Sequence, residues 1–432
     1  MKKYFLFLLT AIHSINFTEA QSLHDVIITE INYNSDSTVN SGNWIEIYNS
    51  TSNSINLVDW FVKNNNNDFY TIGPGVSLGA HSYLVLAENI FEFSSIFPSV
   101  TNVNGPMNFG FSNNNDNIRL YSSNSMLISS VAYADSGQWP KGADGNGRTL
   151  ELLNYNGDQN DPLNWFDGCM FGSPGVPYTP CNPEIVFSEI NYKSAPTMDA
   201  GDWVELYNVS QSAISLNQWS LKDGEDTDIY YLPNITLQPG DYRVLCQDIG
   251  KFVSRHATVG NINGPFGFGF SHKGEPIRLF DANGKLTFSV VYDNKSPWAT
   301  TPDSGGYTLE LSNIHGHMDD GTNWFAGCLE GSPGEVYDPN CGGNSAETIS
   351  ENVIHFNILN SLSSDFIVAE ISGIKNYSST RLSVYDLTGR KILSVPVSNS
   401  KTEINISALV DGIYFALLKA DAIFLSEKFL KH

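Results

Sequence analysis

Short apolar stretches, the turn chemistry that separates them and the lack of a convincing amphipathic helix together predict an all-β protein of sandwiches or barrels. Residues 26–33, 44–48, 83–87 and 118–121 are each four to eight residues long and rich in β-branched or aromatic side chains, as strands require. Between them lie the Asn-rich residues 64–67, Gly73-Pro74-Gly75 and the polar residues 113–117. Such residues either tolerate positive φ or hydrogen-bond their own backbone, so they end strands and start turns.

The pattern occurs twice. Glu30-Ile31-Asn32-Tyr33 returns as Glu189-Ile190-Asn191-Tyr192, an offset of 159. The same offset carries Trp44 to Trp203, Glu46 to Glu205, Trp60 to Trp219 and Thr149-Leu150-Glu151 to Thr308-Leu309-Glu310. It also carries Gly172-Ser173-Pro174-Gly175 to Gly331-Ser332-Pro333-Gly334. One constant offset over such a length means few or no net insertions, hence a duplicated domain at 22–181 and 183–341. A polar linker, 342–352, leads to a third pattern at 353–432. There, residues 366–371, 382–386, 391–397, 402–406 and 412–419 read as strands, with Leu387-Thr388-Gly389-Arg390 as a hairpin turn.

At 432 residues the chain has room for about three domains. Lys and Arg total 23 against 46 Asp and Glu, a net charge of -23 that repels polyanions and disfavours a nucleic-acid partner. Lys2 and Lys3, the apolar residues 4–12 and Thr18-Glu19-Ala20 form a signal peptide pattern over residues 1–20. No later stretch approaches the ~20 apolar residues of a membrane helix, so no transmembrane segment is expected. Cys169 and Cys181 lie twelve residues apart and Cys328 and Cys341 thirteen, each pair closing a segment that contains Ser-Pro-Gly. In an oxidising compartment these read as two short-loop disulfides. Cys246, inside an apolar run, is left as a buried structural thiol.

The repeated unit resembles the lamin tail domain, through Glu30-Ile31, the strand Trp44-Ile45-Glu46-Ile47-Tyr48-Asn49, the Gly-rich turn before Thr149-Leu150-Glu151, and Ser173-Pro174-Gly175. That resemblance implies two tandem immunoglobulin-like β-sandwiches. Copy one departs from copy two at the late turn, where Arg148 stands for the aromatic Tyr307. The last eighty residues resemble the sorting domain of the bacterial type IX secretion system, through Leu382-Ser383-Val384-Tyr385-Asp386, Thr388-Gly389-Arg390, Gly412-Ile413-Tyr414-Phe415 and the basic end Lys428-Phe429-Leu430-Lys431. This implies a small C-terminal β-sandwich that partners the type IX machinery, and a secreted or outer-membrane cell-surface location. Neither resemblance supplies a catalytic residue, a cofactor or a metal.

Several residue groups invite chemistry. Glu30 and Glu46, with Glu189 and Glu205, are acids on strands; a carboxylate pair can do acid and base work, but partly buried acids more commonly satisfy backbone donors or tether a loop. Asn156, Asp158, Asn160 and Asp161 are oxygen donors whose counterparts are His315, His317, Asp319 and Asp320. This change of ligand type argues against one shared metal and for an ordinary polar turn, as for Asp144 and Asp303. There is no Gly-x-Ser-x-Gly elbow and no phosphate loop. All eight tryptophans are paired between the copies, which favours core roles. Trp139 and Trp298, each beside a proline, are the two expected to be exposed for ligand binding. The expected function is a non-enzymatic interaction protein for a protein, glycan or envelope ligand, on loops such as 34–43 against 193–202 and 64–70 against 223–229. The alternative is a secreted hydrolase, nuclease or phosphoesterase-like, with a loop-built site.

Overall fold

The computed structural model describes residues 25–339 and 341, and then 355–360, 366–372, 377, 380–386, 390–410, 412–420 and 423–431. The expected signal peptide, the expected linker 342–352 and the expected turn at 387–389 lie outside the described residues. The chain divides between Cys341 and Gly342 into two compact units.

Each copy of the repeat is a sandwich of a six-stranded and a four-stranded sheet. In copy one the large sheet runs Trp165–Asp167, Leu150–Leu152, Val26–Asn32, Trp44–Asn49, Tyr83–Ala87 and Val103–Asn104. The small sheet runs Leu127–Ala134, Asn115–Tyr121, Phe61–Lys63 and Phe69–Thr71. Copy two repeats both orders. Alternation along the strands explains the packing: Ile45 and Ile47 face the small sheet with Val62, Ile118 and Leu120. Each such fully buried apolar side chain contributes about 1.5–3 kcal/mol.

The other face of the large sheet is also covered, which is why Trp44–Asn49 is buried nearly throughout. At one end Trp44 packs under a short helix, Ile90–Ile96, against Phe93. At the other end lies the segment closed by the Cys169–Cys181 disulfide. The helix and its counterpart Ile249–Arg255 correct the sequence expectation of none. At seven residues each is too short for a periodic apolar face, and each buries one side chain, Phe93 or Phe252. Their signal was the cap: Asn89 accepts from the Phe91 and Glu92 amides, and Asp248 from that of Lys251.

The C-terminal unit pairs a three-stranded sheet, His355–Asn360, Phe366–Ser372 and Lys401–Asn405, with a four-stranded one, Lys391–Pro396, Arg381–Asp386, Gly412–Ala420 and Ile423–Lys431. The first and last of its strands were not foreseen. The basic end lies within the last strand, where Phe429 is buried against Tyr414.

Candidate functional site

Three carboxylates meet in each copy. Strand register sets Glu30 beside both Glu46 and Glu151, and Glu189 beside Glu205 and Glu310. All six are 0–4 % exposed. What covers them is the Gly-Ser-Pro-Gly loop. Glu30 Oε1 accepts from Thr149 Oγ1 (2.6 Å) and the Ser173 amide (3.0 Å). Glu46 accepts from Thr29 Oγ1 (2.8 Å) and the Gly175 amide (2.6 Å), and Glu151 from Ser173 Oγ (3.0 Å). Copy two repeats these bonds through Thr308, Ser332, Ser188 and Gly334. The acids are therefore loop tethers. Glu151 and Glu310, quoted in the repeat motif but not recognised as acids of this set, complete it.

Three acids in one dry patch cannot all stay ionised. Burial, then Glu151 and Glu46, raises Glu30 well above the ordinary carboxylate range. Burial pushes Glu46 up to about 8 and Glu151 up to about 7, against the hydrogen bonds each accepts. In copy two burial raises Glu189 well above its usual range, with Glu310 and Glu205 adding to it, and pushes Glu205 up to about 8. Glu30 Oε2 and Glu189 Oε2 are buried and accept no hydrogen bond, so a proton on either displaces none.

The loop can lie this close only because it starts with glycine. Gly172 has φ +80°, and a Cβ there would run into Glu30 Oε1 and Thr149. Gly172→Ala should therefore lower stability by about 2 kcal/mol or more in urea denaturation. Gly75→Ala, at φ +84° with no atom within 4 Å of the added Cβ, should cost only the backbone strain, about 1 kcal/mol. Equal losses would mean that the contact with Glu30 is unimportant.

Both predicted disulfides are present, Cys169–Cys181 and Cys328–Cys341, with Cα separations of 5.4 and 5.2 Å. Cys246 is buried and unpaired at the position of Ala87, packed with Trp203 and Phe252. Burial pushes its thiol up to about 12, so it is inert as a nucleophile at neutral pH.

The tryptophan expectation is corrected. Trp139 is 9 % and Trp298 6 % exposed; they pack on Trp165 and Trp324 and belong to the two cores. A neighbouring proline bends the chain without turning the indole outward, and an indole with both faces covered cannot stack on a sugar.

The polar turns part company between the copies. In copy one Asp158 and Asp161 cap their own turn, and Asn160 accepts from the Ala132 amide. In copy two the same positions build a junction with copy one, so the ordinary-turn reading is corrected there. His315 Nδ1 lies 2.9 Å from the Cys181 carbonyl, and His317 packs on Phe166 and Tyr178. Asp319 accepts from the Val291 amide, as Asn160 does from that of Ala132, but its second oxygen lies 2.8 Å from Arg148 Nε, with both side chains at most 2 % exposed. Arg148 also donates to the carbonyls of Gly168 (3.0 Å) and Ser289 (2.8 Å). Around this pair, Val39, Met170 and Phe171 of copy one pack on Phe280 and Leu286 of copy two. Thr38 Oγ1 accepts from the Leu286 amide. Loop 34–43 of copy one is thus interface rather than a free ligand loop. Asp144 and Asp303 bind Asn34 and Lys193, tying their turns to the neighbouring loops.

Among the described residues no group of three or more His, Cys, Asp or Glu is arranged to hold a metal ion. A cleft beside Val39, Phe97, Arg148 and Phe171 encloses about 10 Å³, room for one water molecule.

Comparison with known proteins accords with this architecture. Residues 19–135 and 179–294, more than half of the chain, match the Lamin Tail Domain, and residues 363–432 match the Secretion system C-terminal sorting domain. A tail of this kind marks a type IX export substrate that is secreted or attached at the cell surface. Among the described residues no helix is long and apolar enough to cross a membrane. No curated protein matches the chain. Among solved structures it is similar to the BSP domain of a biofilm associated protein, at 9% identity over 98% of this chain and 83% of that one, TM-score 0.17. It is also similar to dimeric latent PorU from Porphyromonas gingivalis, at 11% identity over 94% of this chain and 33% of that one, TM-score 0.19. Likenesses this remote leave the family matches and the shared strand order to identify the chain: it belongs to the Lamin Tail Domain family, carrying two copies of that domain ahead of a secretion system C-terminal sorting domain.

Proposed function

We propose that the exported chain is a non-enzymatic interaction protein that binds a protein, glycan or envelope component through loops held on its paired sandwiches. The observation that carries this reading is the fate of the acids: all six clustered carboxylates are buried and engaged by their own loop. What the copies share is spent on folding; what differs at the surface is loops. The best candidates are 64–70 and 223–229. Both are anchored by the same arginine of the repeat, Arg119 to the Asn64 carbonyl and Arg278 to the Asp223 carbonyl (2.7 Å), while their tips are exposed and chemically unlike, Asn65-Asn66-Asn67 against Gly224-Glu225-Asp226. A rigid anchor under a variable tip suits recognition, and two tips on one chain raise avidity for a repeated target.

The test is to screen the purified full chain against glycan and protein arrays and against phosphoester, nucleic-acid and glycoside substrates. Binding without turnover is expected, and exchanging 64–70 with 223–229, which are equal in length, should alter the binding profile with little change in thermal stability. Reproducible turnover lost in a folded Glu46→Gln or Glu205→Gln variant would overturn the proposal.

A further inference from the structure

The junction between the copies is heterologous: one face of copy one, with Val39, Arg148 and Met170, meets a different face of copy two, with Phe280, Leu286 and Asp319. Because the copies correspond at a constant offset of 159, each of these faces has a counterpart left over. Copy two carries the counterpart of the first, Met198, Tyr307 and Leu329. Copy one carries the counterpart of the second, Tyr121, Leu127 and Asn160.

Both leftover faces expose apolar side chains. Leu329 is 51 % and Tyr307 36 % exposed on one; Met126 and Leu127 are each 39 % exposed on the other. Local geometry matches as well. At the junction Gly147, φ +82°, has no Cβ to obstruct Leu286 of copy two, whose Cδ2 and Met170 Cε lie 2.6 and 2.8 Å from where a Cβ would sit. Gly306 has the same backbone, φ +81°, and in place of a leucine from a neighbour its surface is covered by the flexible side chain of Met198 beside Leu329.

We propose that the Tyr307–Leu329 face of one molecule docks on the Tyr121–Leu127 face of a second copy of this chain, repeating between molecules the junction found within each. A head-to-tail contact of this kind leaves a free face at either end and builds open chains unless its rotation closes a ring. In the outer contact the ionic pair of Arg148 and Asp319 is replaced by Tyr307 opposite Asn160, and Asp158 stands where His317 packs on Phe166 and Tyr178, so the contact is weaker than the internal one and reversible. The net charge of -23 opposes association of like molecules, so salt that screens it strengthens the contact.

Sedimentation velocity of the purified full chain across a concentration series, at 0.15 M (about physiological) and higher salt, tests this. Species larger than a dimer should grow with concentration and with salt. Leu127→Asp and Leu329→Asp, both at exposed positions, should each weaken association by about tenfold or more while thermal unfolding stays unchanged. Leu127→Asn and Leu329→Asn serve if an aspartate perturbs the fold. Each variant keeps one intact face, so an equimolar mixture of the two should form dimers and stop there. A wild type that stays monomeric throughout, or association that survives both substitutions, or a mixture that grows beyond dimers, would overturn the proposal.

Discussion

Replacing Arg148 with methionine is expected to destabilise the paired sandwiches by about 3–5 kcal/mol, because it leaves carboxylates buried without their cation. Two acids face the guanidinium. Asp319 lies 2.8 Å from Nε, and Asp167, which accepts from the Ala143 amide, stands beside it. Burial, followed by the charge of Asp319, pushes Asp167 up to about 8 even with Arg148 in place, so removing the cation leaves both acids to be neutralised by protons. The same substitution strips donors from the carbonyls of Gly168 and Ser289, one in each copy. For a unit of this size each kcal/mol is worth about 2 °C, so calorimetry should show a fall of roughly 6–10 °C. It should also show the single unfolding event of the pair broadening or splitting into two. Adding Asp319→Asn removes the stranded charge and keeps the oxygen that accepts from Val291, as Asn160 does in copy one. The double variant should regain part of the loss, a coupling that a double-mutant cycle measures. If Arg148→Met leaves one sharp transition at the wild-type temperature, the junction does not hold the copies together.

The duplicated strands, the disulfides and the family were legible in the sequence because they rest on patterns along the chain: alternation, a constant offset and cysteine spacing. The carboxylate tethers were half legible. Glu30 and Glu46 stood out as acids among apolar neighbours, but Glu151 joins them only when Leu150–Leu152 pairs with Val26–Asn32. The junction was missed for the opposite reason. Arg148, His315, His317 and Asp319 all appear as departures from the repeat, and a duplicated domain keeps its shared residues for folding and changes residues where the copies differ in surroundings. Read that way, Arg148 in place of Tyr307 and Asp319 in place of Asn160 are one complementary pair of opposite charges. Nothing along the chain says that they meet, because the contact spans 171 residues and depends on how two sandwiches pack. Trp139 and Trp298 failed through a local cue, the adjacent proline, that says nothing about what tertiary packing lays over an indole.

The proton content of the carboxylate patches should make this protein more stable in mild acid than in mild base. The sign follows from linkage: a buried acid whose pKa is raised on folding holds a proton in the folded state that the unfolded chain releases, so stability is full below the unfolded value and is lost as pH rises through the folded one. Glu46 and Glu205 rise from 4.5 to about 8, Glu151 from 4.5 to about 7 and Asp167 from 3.8 to about 8, all chiefly through burial, which sets the window between about pH 5 and 8. Repulsion at net charge -23 acts in the same direction. Melting temperature should therefore fall by ~5 °C or more from pH 5 to 8.5, a change on the order of several kcal/mol. The decisive variant is Glu30→Gln with Glu189→Gln. In each copy Oε1 accepts both hydrogen bonds, from Thr149 and Ser173 or from Thr308 and Ser332, and Oε2 accepts none. A glutamine keeps the accepting oxygen and places an N–H2 where the protonated acid has its O–H. The double variant should match the wild type at pH 5, exceed it at pH 8.5 and show a flatter profile between. A melting temperature that rises with pH in the wild type, or a glutamine variant that loses stability equally at every pH, would show that these acids fold ionised.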